Sequence, residues 1–282
     1  MLAFHNFYFR FPWVSRVKYV LTTKPLSEPV LNEERRRLIL EMLNHDGRVL
    51  VGALAQHFHT SQVTIRKDLD ILQAHGRIHR THGGALPTRA SALEDPTLRE
   101  KEKLHRKEKV QIAAAAAHMV REGQVVILDS GTTTTAIARA LREFQNLTII
   151  TNAVNIAADL SGSSLEVILT GGTLRKNSFS LVGPIAEETL RRLNADILFL
   201  GVDGFDVHYG LSTPNLLEAK VNRAMMEVAR LSVAVCDSSK FGRRSLSSIA
   251  PLSAVHHLIT DRGIPKLDLA ALRKTGMQVT LV

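Results

Sequence analysis

The fold is decided by residues 125–135, which read VVILDSGTTTT. The four successive apolar residues Val125–Leu128 predict a strand that is buried on both faces of a parallel sheet. A turn rich in hydroxyl groups follows, and a helix is predicted from Ala136 onward. Gly131 allows a ligand to approach the backbone closely, and the free N–H groups at a helix start attract anions. The stretch therefore predicts a phosphate-binding loop whose hydroxyl groups come from Ser130, Thr132, Thr133 and Thr134.

The same loop admits a second interpretation, a capped helix behind a threonine-rich turn that holds no ligand. No lysine follows Gly131 at the spacing of the Walker A motif, so nucleotide hydrolysis is not predicted. The single cysteine, Cys236, lies in an apolar run, and no cluster of Cys and His has zinc spacing. We therefore predict no metal, no cofactor and no catalytic residue.

Short apolar runs alternate with helical patterns from here to the C-terminus. Runs this short and this continuously apolar are typical of strands in a parallel sheet. The alternation predicts an α/β domain with a doubly wound, Rossmann-like architecture. The runs are 125–128, 147–150, 167–169, 197–200, 231–235 and 258–259, and the helical stretches are 136–143, 153–160, 186–193 and 217–230.

Polar and glycine residues follow several of the predicted strands. Any one of these could be an ordinary turn between a strand and a helix. Because an open α/β sheet places its ligand crevice at the carboxyl ends of its strands, the set together predicts a binding site. Its members are Thr151, Asn152, Gly171, Gly172, Asp203, Gly204 and the segment 237–240, which ends at Lys240.

Residues 32–86 predict a separate winged helix-turn-helix unit. Asn32 can cap a first helix with apolar residues at 38, 39, 42 and 43, and further helices are predicted over 51–58 and 61–74. A polar strand over 78–82 and a glycine turn follow. Val63, Ile65, Leu69 and Leu72 include the third-helix positions that can pack inward.

The remaining side chains of the third helix suit a role in reading DNA. The first residues of a recognition helix reach base edges in the major groove, where Gln pairs with adenine and Arg with guanine. A small helical bundle with a solvated basic face is the alternative. The predicted DNA contacts are Ser61, Gln62, Thr64, Arg66 and Lys67 on the helix, and Arg77, Arg80 and His82 on the wing.

Charge is distributed unevenly along the chain. Residues 1–90 hold 13 of the 36 Lys and Arg residues but only 7 of the 27 Asp and Glu residues. A basic domain attached to a nearly balanced one indicates a polyanion partner. We predict that this partner is double-stranded DNA.

The other segments have less distinctive patterns. Residues 1–31 hold half of the aromatic residues and are predicted to lie outside the fold, with a membrane-surface anchor as the alternative. Residues 87–107 carry two prolines and a run of alternating charge, which predicts a linker before an effector domain over 108–282. No apolar stretch is long enough to span a membrane, so we predict a cytoplasmic protein without membrane contact.

The spacing of the N-terminal residues resembles the signature of the DeoR/GlpR family of bacterial regulators. Arg35, Ile39 and Leu43 stand four residues apart, seventeen residues precede Ser61, and 64–69 read TIRKDL. The resemblance implies an N-terminal winged helix-turn-helix that acts mostly by repression. Its sensor domain is related in fold to ribose-5-phosphate isomerase and responds to phosphorylated sugars.

The effector half resembles the same family. Asp129, Ser130, Gly131, Thr132, Thr133 and Thr134 match its presumed phosphate loop, and 151–152, 171–172, 203–204 and 239–241 match other segments. Glu218 and Lys220 stand where the family often has a charged pair near the ligand. Residues 201–203 and 211–215 are most similar to amino-sugar repressors of the N-acetylgalactosamine type.

The leading hypothesis is a ligand-controlled repressor that binds its operator as a homo-oligomer, a dimer or a tetramer. Lys220 or Lys240 would neutralise the effector phosphate, and Asp203 or Glu218 would accept hydrogen bonds from sugar hydroxyls. One alternative is a sugar-phosphate isomerase or deaminase with Asp203, Glu218 or Lys240 as acid or base. Another is a DNA-binding module whose second domain serves only for dimerisation.

Overall fold

The computed structural model describes residues 32–46, 48–74, 78–81, 83–87 and 92–282. The chain divides into two compact units at residues 88/89. The predictions for residues 1–31, Arg77 and His82 lie outside the described residues. Among the helices that are described, none combines the length and the apolar character that crossing a bilayer requires.

The first unit contains three helices and a small antiparallel sheet. The helices are α1 (Asn32–Asp46), α2 (Val51–His57) and α3 (Gln62–Ala74). The strands are β1 (Val49–Leu50), β2 (Ile78–Thr81) and β3 (Gly84–Pro87), in the order β1-β3-β2. This arrangement confirms the predicted winged helix-turn-helix, and β1 is a strand that the sequence pattern did not reveal.

The helices of this unit enclose one apolar core. Ile39, Leu43, Leu54, Ile65 and Leu69 are all at most 1% exposed. Val63 is the exception among the third-helix positions that the sequence singles out, because its side chain is 70% exposed. It precedes Ile65 by two residues, which is about 200° around a helix, so Val63 faces away from the core while Ile65, Leu69 and Leu72 face it.

A buried ion pair joins α1 to α3. Arg35 Nε donates to Asp68 Oδ2 at 2.6 Å, and the two side chains are only 8% and 4% exposed. Arg36 reaches the other carboxylate oxygen at 3.3 Å, and Arg35 also donates to Asn32 at 2.8 Å. These bonds hold α3 at a set angle against α1.

The second unit begins with two helices and then alternates strands and helices. Its helices are α4 (Leu98–Glu102), α5 (Arg106–Ala117), α6 (Thr132–Ala140), α7 (Val154–Leu160), α8 (Pro184–Arg191), α9 (Leu216–Val228) and α10 (Lys266–Lys274). Its strands are β4 (Val125–Leu128), β5 (Thr148–Thr151), β6 (Glu166–Leu169), β7 (Thr173–Arg175), β8 (Ser180–Val182), β9 (Ala195–Gly201), β10 (Gly204–Asp206), β11 (Gly210–Thr213), β12 (Ala229–Val235), β13 (Ser247–Ala250), β14 (His257–Thr260) and β15 (Gln278–Leu281).

Seven of these strands form one parallel sheet in the order β15-β14-β12-β9-β4-β5-β6. All six predicted apolar runs lie in it, and buried clusters cover both of its faces. This confirms the doubly wound architecture. From β4 the chain moves outward to β5 and β6, and then returns to β9 on the other side. The strand order therefore reverses between β4 and β9, the point where such sheets bind ligands.

Two small sheets were not predicted, β10-β11-β13 and the hairpin β7-β8. Their strands are three or four residues long, too short for an alternating pattern to stand out. In the chain, the hairpin β7-β8 follows β6, and β10 follows β9.

Residues 92–105, which we call the strap, lie on the second unit although the sequence assigns them to a linker. The N–H of Leu246 donates to the carbonyl of Ala92, and the N–H of Leu98 donates to that of Asn177. Thr97 and Glu100 form a capping box that starts α4. Several charged residues of this segment have specific partners, which the charge pattern by itself does not reveal.

We expect Asp68→Asn to destabilise the first unit by about 3 kcal/mol, because it leaves the buried Arg35 without its counter-charge. Hydrogen exchange of the amides in α1 and α3 measures this effect. The matched control is Asp70→Asn, which breaks the more exposed pair with Arg80 and should cost less than about 1 kcal/mol. Equal losses of protection in the two variants would contradict the assigned role of the buried pair.

Candidate functional site

The predicted phosphate loop lies at the point where the strand order reverses. Residues 129–131 leave the carboxyl end of β4, and Gly201 ends the adjacent strand β9. A side chain at Gly201 would meet the Asp129 carboxylate at 3.3 Å. The close fit explains why glycine stands at this position.

Asp129 is a buried carboxyl at the centre of this loop, 5% exposed. Burial raises its pKa to about 7, although hydrogen bonds from Thr134 and from the N–H groups of Gly201 and Gly131 act in the opposite direction. Near neutral pH this carboxyl therefore gains or loses a proton easily, and a charge bound beside it shifts that equilibrium.

The threonines do not form a loop before the helix, because α6 begins at Thr132 and not at Ala136. Thr134 donates its hydroxyl to the carbonyls of Asp129 and Gly131, both at 2.9 Å. Thr135 donates to the same Gly131 carbonyl at 2.8 Å. Those two hydroxyls hold the turn in shape, whereas Ser130, Thr132 and Thr133 stand at the helix start, whose first N–H groups have no helical acceptor.

Asn152 lies fully buried behind β5, the neighbour of β4. Its amide nitrogen donates to the carbonyl of Leu181 at 3.1 Å, but its Oδ1 atom has no hydrogen-bond partner. Thr151 uses its hydroxyl to bond the carbonyl of Leu128 at 2.7 Å. Asn152 therefore has a buried acceptor without a partner at the carboxyl end of β5, while Thr151 ties β5 to β4.

Gly171 and Gly172, after β6, have φ angles of +71° and +114°. A side chain at Gly172 would come within 2.7 Å of the carbonyl of Val182. These two glycines therefore allow the chain to turn into the β7-β8 hairpin, and this backbone requirement is sufficient to account for them.

Asp203, after β9, is held by two groups. It accepts hydrogen bonds from Lys101 Nζ at 2.6 Å and from Thr213 Oγ1 at 3.1 Å. Burial acts to raise the pKa of Asp203, but the charges of Lys101 and Lys240 and the two hydrogen bonds bring it below its usual value. It is therefore an ionised acceptor, and Lys101 is a site residue that the sequence pattern missed.

Glu218 faces inward from the first turn of α9 and is 7% exposed. Its carboxylate accepts hydrogen bonds from Arg175 at 3.0 Å, Ser180 at 2.9 Å and Thr213 at 3.4 Å. Lys220 stands two residues later on the same helix and is exposed. Residues at that spacing do not share a face, so the structure does not bring Lys220 to the site.

Lys240 follows β12 in a short 3-10 turn and lines a cleft together with Asp203 and Arg243. Burial acts to raise the pKa of Asp237, yet the charge of Lys240 and the hydrogen bond from Ser239 bring it below its usual value. Lys109, on α5, is buried, and this burial lowers its pKa to about 8. Its Nζ atom donates to the carbonyls of Lys101 and Leu104, both at 2.6 Å.

The carboxyl end of the sheet thus combines lysines with acidic and amide acceptors. Such a mixture suits a ligand that carries both a phosphate and several hydroxyl groups. The lysines would attract the phosphate, and the carboxylates and Asn152 would accept hydrogen bonds from the hydroxyls. Asp203, Glu218, Asn152 and Lys240 were predicted from the sequence, whereas Lys101, Lys109 and Arg175 were not.

The predicted DNA-reading face is on α3. Gln62, Arg66 and Lys67 are exposed, and Gln62 accepts a hydrogen bond from Arg66 at 3.2 Å. Ser61 caps the helix, since its hydroxyl accepts from the N–H of Thr64 at 3.1 Å and lies 2.9 Å from the Thr64 hydroxyl. Ser61 and Thr64 therefore also shape the helix start.

Arg80 is engaged within the first unit. Its guanidinium donates to Asp70 at 2.6 Å and to the carbonyl of Arg66 at 3.0 Å. These bonds connect β2 with α3, so Arg80 positions the wing against the recognition helix. Its predicted contact with DNA would have to be made in addition to them.

The buried carboxyl of Asp129 generates a prediction about pH. Its pKa is 3.8 in the unfolded chain and about 7 in the folded one, so the folded state holds a proton that the unfolded state has lost. The stability of the second unit should therefore fall as pH rises through this window, by at most about 1.4 kcal/mol per pH unit. Asp129→Asn removes this contribution.

The difference in melting temperature between Asp129→Asn and the unaltered protein should grow from pH 5 to pH 7 in favour of the variant. Above pH 7 this difference should stay constant. Ser130→Ala, a neutral change at the next residue, serves as the control and should show a constant difference. A constant difference for Asp129→Asn as well would argue against a raised pKa.

Comparison with known proteins agrees with both units. Residues 35–89 match the family described as DeoR-like helix-turn-helix domain, and residues 104–262 match the DeoR C terminal sensor domain. A solved structure of ribose 5-phosphate isomerase A from Methanocaldococcus jannaschii aligns with 48% of this chain and 54% of its own, at 18% identity and a TM-score of 0.36.

Full-length relatives are regulators of transcription. A protein of Escherichia coli O157:H7 named for repression of the aga operon is 42% identical over 88% of this chain and 93% of its own. The regulator GlpR of Haloferax volcanii is 41% identical over 89% and 98%. The L-fucose operon activator of Haemophilus influenzae is 33% identical over 82% and 92%. These relatives favour a regulator over the isomerase or deaminase alternative, and the chain is not an enzyme but a DNA-binding member of the DeoR family of transcriptional regulators.

Proposed function

We propose that this regulator represses a sugar or amino-sugar catabolic operon and that a phosphorylated sugar releases it from the operator. The carrying observation is the carboxyl edge of the parallel sheet: Lys240 and Asp203 line one cleft there, and the start of α6 and Asn152 follow the strands β4 and β5 at the same edge. The names of the aga and L-fucose operon relatives support a sugar operon as the target.

In the proposed complex, the phosphate binds at the start of α6, to the N–H groups and hydroxyls of Ser130, Thr132 and Thr133. Lys240 supplies the counter-charge. Asn152 Oδ1, which has no partner of its own, accepts a hydrogen bond from a sugar hydroxyl. Asp203 accepts a second one once Lys101 has moved away from it.

We propose that the operator is bound by a homo-oligomer, a dimer or a tetramer. Helix-turn-helix proteins read two half-sites one helical turn apart, and a symmetric pair of recognition helices matches that spacing. No membrane contact is part of the proposal.

We expect Lys240→Gln to weaken the effector at least tenfold, because a charge-assisted hydrogen bond to phosphate is lost. Lys220→Gln is the matched control, since it removes an exposed lysine from the face of α9 opposite to Glu218, and it should leave the effector response unchanged. The readout is fluorescence anisotropy of DNA from upstream of the protein's own gene, at fixed near-physiological salt, titrated with sugar phosphates and with the unphosphorylated sugars.

Each other outcome points to a different correction. If Lys220→Gln weakened the effector more than Lys240→Gln does, the phosphate site would lie near α9. Operator binding that no sugar phosphate alters would favour a second unit that serves for dimerisation alone. Equal binding to operator and random DNA would contradict the proposed operator.

The strap gives a physical route from the effector to the DNA-binding unit. Lys101 of the strap pairs with Asp203, and Asp95 of the strap pairs with Arg175, which also holds Glu218. Glu94 and His105 make longer contacts to Arg243 and Asp237. The acidic groups proposed for the effector therefore hold the strap, directly or through Arg175.

We propose that a sugar hydroxyl competes with Lys101 for Asp203 and so loosens the strap. Only residues 88–91 separate the strap from β3 in the chain. Linkage requires that the effector and the operator weaken each other by the same factor.

Lys101→Gln should mimic the loosened state. We expect weaker operator binding without effector, by about fivefold or more, and tighter effector binding because the competitor of the sugar is gone. Lys103→Gln, an exposed lysine of the same strap, is the control and should change neither affinity. A Lys101→Gln protein with unaltered operator affinity would exclude this route while leaving the effector site itself in place.

A further inference from the structure

The exposed face of α3 carries one apolar side chain among polar ones. Ile65, Leu69 and Leu72 fill the core, whereas Val63 is 70% exposed on the far side of the helix. Its neighbours on that side, one residue before and three after, are Gln62 and Arg66. In a recognition helix, this first turn is the part that meets base edges.

Several polar groups around Val63 make hydrogen bonds with one another. Ser61 and Thr64 form the helix cap, and Gln62 pairs with Arg66. An adenine that pairs bidentately with the Gln62 amide must displace this bond, because the Gln62 Oε1 atom already accepts it. Val63 can contact a base without such a loss, and the contact would bury apolar surface.

The chemistry of the major groove identifies the feature that Val63 fits. Base edges there present donors and acceptors, and the one apolar group among them is the C5-methyl of thymine. The positive charges of Arg66 and Lys67 on the same face would hold the phosphate backbone nearby. We propose that Val63 reads the methyl group of a thymine in each operator half-site and so determines part of the sequence specificity.

The test uses the full-length protein and an operator selected from random DNA. Each thymine of one half-site is replaced singly by deoxyuridine, which removes only the methyl group, and the Kd is measured at fixed salt. We expect one thymine at which this replacement weakens binding about fourfold, the value of one buried methyl group. Thymines that flank the selected operator serve as the DNA control.

Two variants then assign the effect to the side chain. In Val63→Ala, the loss at that thymine should shrink to less than twofold, and in Val63→Thr, which keeps the branched shape, it should be intermediate. Val110→Ala alters a valine of similar exposure on α5. In this control, deoxyuridine at the sensitive thymine should still weaken binding about fourfold. Melting curves of all variants establish that they are folded.

The proposal would be overturned by a flat deoxyuridine scan in the unaltered protein. It would also be overturned if the sensitive thymine were equally sensitive in Val63→Ala and Val63→Thr, since another side chain would then read the methyl group. Either result leaves the assignment of α3 as the recognition helix intact.

Discussion

The parallel pairing of β4 with β9 is the interaction on which the effector unit depends. Ile127 and Leu128 lie opposite Leu198 and Phe199, all four without measurable exposure. The chain leaves β4 toward β5 and β6 and later returns to β9 on the other side of β4, so the strand order reverses between these two strands. The loops that follow them are thus brought to one crevice, with Asp129 between them.

Burial also determines the electrostatics of that crevice. The pKa of Asp129 lies near 7 and that of Lys109 near 8, so both groups have lost much of their usual preference for the charged form. Asp203 and Asp237 remain ionised because lysines stand beside them. A ligand that brings its own negative charge and hydroxyl groups would enter a network in which lysines and carboxylates are already paired, and must exchange partners with it. Such an exchange is a physical basis for linking ligand binding to a structural change.

The DNA-binding unit is organised by a comparable principle on a smaller scale. Arg35 and Asp68 lock α1 to α3, and Arg80 and Asp70 lock the wing to α3. The recognition helix is therefore held from two sides. With its orientation set by these contacts, the few side chains of its outer face decide which bases are read, and this outer face includes an apolar residue.

The sequence by itself determined six strands of the parallel sheet, the three helices of the first unit and the sheet edge at which the candidate site lies. Continuous apolar runs predict parallel strands because both faces of such a sheet are buried, and the polar residues behind them mark its carboxyl ends. Only the tertiary structure decided which charged groups meet there. Lys101 and Asp203 are 102 positions apart in the chain, so no local pattern distinguishes Lys101 from the other lysines of its charged segment. The choice between Lys220 and Lys240 likewise depended on which face of α9 points toward the site. Hydrophobic periodicity indicates which positions are buried. The packing of segments that are distant in the chain decides which side chains contact one another.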